Sequence, residues 1–269
     1  PAGCAAAKFL SDFGFEVTLF DKGNFLRTLL PTGGGRCNLA NAEYDFKQLA
    51  KNYPRGEKFL YSLFSRFSTS QTLEFMNSLG IQTYTQEDNR IFPTSNSASE
   101  VREKFLKSIS NVHKIKEEVL ELSRLESGYK IKTNKSTYAF DVVVVAIGGH
   151  AGTKLLKDLN IKIISQTKSL VGLITEKDFS EISGVSLKNV KVKLGKTNLQ
   201  ENVLFTHKGI SGPLIYKISS IKARDNMPYA LRFRFLEDFD LQDLLNKNPH
   251  KSIKNLLGNL VPKSFAQYL

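Results

Sequence analysis

The stretch Thr32-Gly33-Gly34-Gly35-Arg36-Cys37-Asn38 decides the reading of this chain. Three consecutive glycines free the backbone for positive φ and for close approach to a ligand. An arginine, a thiol and an amide follow at once. That combination suits a loop wrapped around an anionic cofactor better than an ordinary surface turn. Upstream, residues 2–13 read as a helix with small residues on its packing face, ended by Gly14. Glu16-Val17-Thr18-Leu19-Phe20 then reads as a short apolar strand closing on Asp21. These pieces form the back half of a strand–turn–helix–strand unit. In a complete dinucleotide fingerprint, glycines let a pyrophosphate sit on the helix N-terminus, and an acid ending the second strand binds the ribose hydroxyls. Gly3 stands where the third glycine belongs, and Asp21 where the acid belongs, 18 residues on. Any βαβ protein can supply such a pair, so the half fingerprint leaves the reading open until the glycine loop is added.

Composition bounds the rest. The 269 residues are 41% hydrophobic and 24% charged, which is globular and long enough for more than one domain. No apolar run approaches the ~20 residues of a membrane span. The longest, residues 142–147, reads as a buried strand. Cys4 and Cys37 give neither a disulfide framework nor a metal quartet, which points to a reducing cytoplasm. Histidines 113, 150, 207 and 250 show no ligand spacing, so no metal is expected. The net charge of +12 is consistent with a nucleic-acid or other polyanionic partner, and equally with a lysine-rich proteome. The chain opens on Pro1-Ala2-Gly3 and closes at Leu269 inside an amphipathic helical pattern, and reads as a piece of a longer chain trimmed at both ends.

Seen with Asp21-Lys22 ahead of it, the run Leu29-Leu30-Pro31-Thr32-Gly33-Gly34-Gly35-Arg36-Cys37-Asn38-Leu39-Ala40-Asn41 resembles a particular flavoprotein family. This is the YhiN/BaiN-type, or aminoacetone-oxidase-like, group of NAD(P)/FAD-dependent oxidoreductases. Pro1-Ala2-Gly3 looks like the last three residues of its first fingerprint. Asn89-Arg90-Ile91-Phe92-Pro93, with Ser95, Ala98-Ser99 and Val101, is similar to its G-R-x-F-P-x-S-x-x-A-x-x-V stretch. Asp141-Val142-Val143-Val144-Val145-Ala146-Ile147-Gly148-Gly149 resembles the strand and A-T-G-G turn of two-dinucleotide-fold flavoproteins. Leu204-Phe205-Thr206-His207-Lys208-Gly209-Ile210-Ser211-Gly212-Pro213 looks like the L-F-T-H-x-G-[IL]-S-G-P motif. The resemblance runs over essentially the whole chain.

It implies an α/β protein: a Rossmann-like FAD-binding domain of the two-dinucleotide-fold type, an inserted antiparallel β domain and a small helical domain. By this reading residues 1–170 bind FAD, residues 171–240 form the β domain, and residues 241–269 start the helical one. Gly3 faces the pyrophosphate, Asp21 holds the adenosine ribose, and Lys22 stacks along or pairs with the adenosine end. Thr32, Gly33, Gly34, Gly35, Arg36, Cys37 and Asn38 pass along the ribityl chain toward the isoalloxazine. Backbone near Glu118 and Val119 contacts adenine, and Ala146, Gly148 and Gly149 form the cofactor-side turn. One departure stands out. About ten residues of the family's run after the two glycines are missing around Gly148-Gly149-His150-Ala151-Gly152-Thr153, so a loop near the pocket is shorter.

The resemblance implies flavin hydride transfer to a carbon–carbon double bond, on steroid-like acids in some members and on uridine of ribosomal RNA in others. NADH or NADPH is the implied reductant. Cys37 and His207 are the candidate catalytic residues, since reduction needs a proton beside the hydride. The plainer alternatives are a packed thiol, a satisfied turn histidine and, for Arg36, a structural salt bridge. The RNA-directed version draws on +12 and on Lys188, Lys191, Lys193, Lys196, Lys247, Lys251 and Lys254. Phe59, Tyr61, Phe64 and Phe67 lie near Arg55, Lys58 and Arg66, but their spacing suits helix core more than base stacking. A third reading is a truncated chain without activity. The partner is thus a small molecule or ribosomal RNA, with no membrane and no metal, and the pattern specifies no oligomeric state.

Overall fold

In a computed structural model, residues 1–149, 152–156, 159–236 and 241–269 of the chain are described. His150 and Ala151, from the shortened turn, lie outside the described residues. Two compact units divide between Ser165 and Gln166.

The first unit starts with α1 (Ala2–Asp12), whose alanine-rich sequence favours helix; Gly14 at φ 84° ends it. Strand β1 (Thr18–Phe20) follows. Beyond it lie β2 (Ala40–Asn41), α2 (Phe46–Lys51), α3 (Glu57–Phe64), α4 (Thr69–Ser78), β3 (Thr83–Thr85), β4 (Arg90–Pro93), α5 (Ala98–Ser108) and β5 (His113–Ile115). Strands β1 and β5 pair in parallel, with Leu19 opposite Lys114. Cys4 and Ala7 of α1 pack with Phe105, Ile109 and Val112, covering one face of this pair. Strands β2, β4 and β3 form a separate antiparallel sheet in the order β2-β4-β3.

Three further strands, β6 (Val119–Arg124), β7 (Tyr129–Thr133) and β8 (Thr137–Phe140), form an antiparallel meander. Strands β5 and β6, though nearly consecutive in the chain, lie in different sheets. Phe20 of β1 packs edge-on against Tyr138 and Phe140, at ring-centroid distances of 5.1 and 5.9 Å, and holds the meander to the parallel pair.

Residues 142–147 depart from expectation. They form no strand, and Val142 is 76% and Val144 57% exposed. A parallel strand this apolar is buried only when neighbours hydrogen-bond it and helices cover its faces. Among the described residues nothing pairs with it. The short helix α6 (Gly152–Leu156) follows. The aromatic run at 59–67 also departs from expectation. No residue of α3 is buried, and Phe59 is 71% exposed.

The second unit holds β9 (Leu173–Ile174), β10 (Ser186–Leu194), β11 (Thr197–Thr206), β12 (Gly209–Ser211), α7 (Pro213–Ile221), β13 (Phe233–Arg234), α8 (Leu241–Asn246), α9 (Ile253–Leu257) and α10 (Lys263–Tyr268). Its strands form one five-stranded sheet in the order β13-β10-β11-β12-β9, antiparallel throughout. Leu187, Val190, Val192, Val203 and Phe205 face a core completed by Leu214, Ile215 and Ile218 of α7 and Phe265 of α10. The helical stretch thus shares the sheet's core. A bulge between Leu187 and Val190, with Asn189 at φ 55°, keeps both apolar residues on the core side. Strand β12 and helix α7, both inside the expected β domain, had no counterpart in the sequence pattern beyond the T-H-x-G motif.

Candidate functional site

The glycine run folds as a single tight turn over Thr32–Gly35. Gly33, Gly34 and Gly35 have φ of 58°, 69° and 86°, and Cys37 has φ 65°. A left-handed residue with a β-carbon costs ~1–2 kcal/mol, which accounts for the glycines. They are not equivalent. A β-carbon on Gly33 would meet the Asn38 amide nitrogen and Phe92 Cε1, each at 2.7 Å. A β-carbon on Gly34 or Gly35 would meet nothing within 4 Å. Gly33 is therefore required by packing, whereas Gly34 and Gly35 leave bare, exposed backbone for a ligand to approach.

Hydrogen bonds brace the turn from within. Thr32 Oγ1 donates to Leu29 O at 2.6 Å, and Cys37 N donates to Thr32 O at 3.0 Å. The loop is then stitched to β4 by Leu39 N donating to Ile91 O at 2.8 Å and by the Ala40–Ile91 pair. This stitching puts Phe92, with no exposed surface, under Arg36. The Arg36 guanidinium carbon sits 4.1 Å from the Phe92 ring centroid, and Arg36 Nε donates to Gly33 O at 3.2 Å. A guanidinium over an aromatic face is attracted by the ring quadrupole, worth about 0.5–1 kcal/mol at an exposed site and more when desolvated. Arg90 lies 5.4 Å from the same ring and is paired with Asp88 at 2.6 Å. That pairing holds the Asp88 carboxyl below its ordinary range. Arg36 is thus a half-buried cation fixed by a ring and a carbonyl.

Cys37 points the other way. It is 2% exposed and packs with Leu29, Ile81, Ala98 and Val101. Burial pushes its thiol pKa up, with the Thr32 hydrogen bond opposing. A protonated thiol facing the α5 core anchors the loop. We expect Cys37→Ala to lower the unfolding free energy by about 1–2 kcal/mol in a thermal or urea melt, with flavin binding retained. Lost activity at unchanged stability would instead assign the thiol to the chemistry.

A second group of residues gathers at the C-terminal end of β1. A β-carbon on Gly3 would touch Ala146 Cβ and Leu19 Cδ1 at 3.5 Å, so the N-terminal turn of α1, β1 and the 142–147 segment converge there. That first turn carries no acidic residue and no side-chain cap. Its free N–H groups suit a phosphate. Asp21 N extends the ladder to Ile115 O at 3.1 Å, and Asp21 Oδ1 accepts from Gly23 N at 2.8 Å. Lys22 Nζ reaches Glu118 Oε1 at 3.4 Å, which brings the Asp21-Lys22 turn beside the Glu118-Val119 arm. Val119 opens β6 and is half-buried. Gly148, at φ 75°, and Gly149 are exposed just beyond Ala146. Leu79 packs against the cores behind both groups, so they adjoin in one unit.

His207 belongs to the second unit. It lies exposed with Lys208 in the two-residue turn between β11 and β12. Gly209 closes this turn against β9, where a β-carbon would stand 2.3 Å from Leu173 O. Sequence reading gave Phe92 and Arg90 no role. The only signal for them is their place in the R-x-F-P run, 54 residues after Arg36 in the case of Arg90. Among the described residues no cluster of His, Cys, Asp or Glu could hold a metal ion, and no helix is long and apolar enough to cross a membrane.

A helix start with free N–H groups, an acid just after β1, and glycine backbone beside a fixed cation are groups that could hold a dinucleotide cofactor. Comparison with known proteins identifies the family. Residues 1–207 match the family model described as HI0933-like protein Rossmann domain, and residues 168–269 match HI0933-like protein barrel and H2TH domain. The ribosomal RNA dihydrouridine synthase of Escherichia coli (strain K12) is 26% identical over 289 residues, covering 100% of this chain and 70% of that protein. The protein of the same name from Haemophilus influenzae is 25% identical, covering 99% of this chain and 71% of its own length. The 3-dehydro-bile acid delta(4,6)-reductase of Clostridium scindens is 28% identical, covering 100% of this chain and 71% of that enzyme. The chain belongs to the HI0933-like family, the YhiN/BaiN-type FAD-dependent oxidoreductases.

Proposed function

We propose that this chain, with FAD bound, reduces a carbon–carbon double bond conjugated to a carbonyl. The observation that carries the reading is the bare Gly34-Gly35 backbone beside the Phe92-supported Arg36. The names of the relatives support it, because making dihydrouridine and reducing a delta(4,6) steroid both add hydrogen across such a bond. Bound FAD supplies hydride transfer. Gly3 and the α1 N–H groups hold its pyrophosphate, Asp21 accepts from the ribose, and Lys22 lies along the adenosine end with Val119 nearby. Thr32 to Asn38 wall the flavin side, with Arg36 available to a negative flavin edge. Ala146, Gly148 and Gly149 complete the turn. The reduction places hydride on one carbon and a proton on the other. His207 is the proposed proton donor, and Cys37 the loop anchor. NADH or NADPH is the proposed reductant and the cytoplasm the proposed compartment, in keeping with two buried free cysteines. Residues 1–170 are assigned to the cofactor, residues 171–240 to the β domain, and residues 241–269 to the helical one.

A second reading has a specific observation behind it. The second unit carries sixteen Lys and Arg against nine Asp and Glu, which favours uridine in ribosomal RNA as the acceptor. The cofactor half of the proposal is tested by Asp21→Asn. Losing one charge-assisted hydrogen bond to a ribose hydroxyl should weaken FAD binding about 10-fold or more in a fluorescence titration. Unchanged affinity would remove Asp21 from the site.

A further inference from the structure

We infer that Asp88 and Arg90 are positioning residues that tune the bound flavin: the pair keeps Arg36 as the uncompensated cation on the Phe92 ring and so sets the charge that the glycine loop presents. This rests on the placement of the flavin along that loop in the function proposed above. Arg90 and Phe92 lie two residues apart on β4 and share one face of the β2-β4-β3 sheet. Two guanidinium groups therefore meet one ring, Arg36 at 4.1 Å and Arg90 at 5.4 Å from its centroid. Their surroundings differ. Asp88 Oδ2 accepts from Arg90 Nε at 2.7 Å and stands 2.6 Å from Arg90 Nη2, while Asp88 Oδ1 accepts from Arg90 N at 3.2 Å. Arg36 has no carboxylate partner among the described residues, and its side-chain hydrogen bond goes to Gly33 O.

The turn that carries Asp88 is braced to hold it there. Gln86 N donates to Arg90 O at 2.8 Å, Asn89 N donates to Gln86 O at 2.9 Å, and Asn89 takes φ 63°. These contacts close the connection between β3 and β4 and keep the Asp88 carboxylate against Arg90. An aromatic face attracts any cation set over it. Without Asp88, Arg90 would be a second full charge at the ring, repelling Arg36 and adding to the field at the loop. With Asp88 in place, the Arg36 charge is the one left over. A flavin gains negative charge on reduction, and fixed cations at its edge favour that state. Asp88 and Arg90 are each about half exposed, so water weakens their field and the expected effect is modest.

The test is the midpoint potential of FAD bound to the full chain, followed by flavin absorbance against a reference dye. Asp88→Asn leaves Arg90 unneutralised. It should favour the reduced form by about 3- to 10-fold, a rise of ~15–30 mV for a two-electron couple. Arg90→Gln leaves Asp88 unneutralised and should lower the potential by a similar amount. The double variant D88N/R90Q removes one charge of each sign and should return the potential to near the parent value. Arg90→Lys keeps the charge and should stay near it as well. Glu87→Gln removes an exposed carboxylate from the same turn, away from the ring, and should shift the potential less than half as far as Asp88→Asn. A pair that served only to hold the turn would not give opposite shifts that cancel. Shifts of one sign in both single variants, or equal shifts in Glu87→Gln and Asp88→Asn, would overturn the proposal. Chains that bind FAD with potentials that do not move sink the tuning alone. A folded parent that takes up no FAD sinks the flavin reading, and the tuning with it.

Discussion

Phe92→Ala is expected to unfold much of the first unit or strip it of flavin. Phe92 has no exposed surface, and truncating a buried phenylalanine costs about 3–5 kcal/mol. Domains of this kind have only ~5–15 kcal/mol in hand. The loss goes beyond a cavity. The ring supports the Arg36 guanidinium at 4.1 Å and fills the space left by Gly33. Phe92→Leu keeps most of the volume and removes the aromatic face. It should melt only slightly early, yet bind FAD more weakly, because Arg36 loses its platform. Equal flavin affinity in Phe92→Leu and the parent would show that the ring serves packing alone.

Gly33→Ala is the second large effect. Two costs add at this position. The left-handed backbone at φ 58° costs a non-glycine residue about 1–2 kcal/mol. The new β-carbon also collides with the Asn38 amide nitrogen and Phe92 at 2.7 Å, an overpacking strain of about 1–3 kcal/mol. Gly34→Ala carries the first cost and not the second, since nothing lies within 4 Å. The expected order in a urea melt is therefore parent, then Gly34→Ala, then Gly33→Ala by a wide margin. Equal destabilisation by the two would contradict the packing of Phe92 against the loop.

Much of this was legible in the sequence because it is local. The alanine-rich α1, its glycine stop, the strand ending at Asp21 and the alternation of β10 and β11 depend on near neighbours along the chain. The glycine run announced a positive-φ turn, and that turn is there. The parts that were not legible depend on what packs from elsewhere. Residues 142–147 have the composition of a central strand. Composition does not supply the hydrogen-bonding neighbours such a strand needs, and here the segment is exposed. Cys37 sits beside Arg36 in sequence, but its left-handed φ turns the thiol to the α5 core while Arg36 stays at the ring. Phe59 has helical spacing, yet its ring is left exposed. Phe92 acquires its role only when β4 is hydrogen-bonded to the loop from more than 50 residues away.

The most direct test of the account is a titration of the purified chain with FAD, followed by flavin fluorescence and visible absorbance, with Gly34→Ala alongside. The account predicts saturable binding of one FAD per chain. It also predicts a clear loss of affinity in Gly34→Ala, whose fold is weakened by only about 1–2 kcal/mol. A folded parent chain that stays colourless and takes up no FAD, or a Gly34→Ala variant that binds FAD as tightly as the parent, would contradict the placement of the flavin along Gly34 and Gly35.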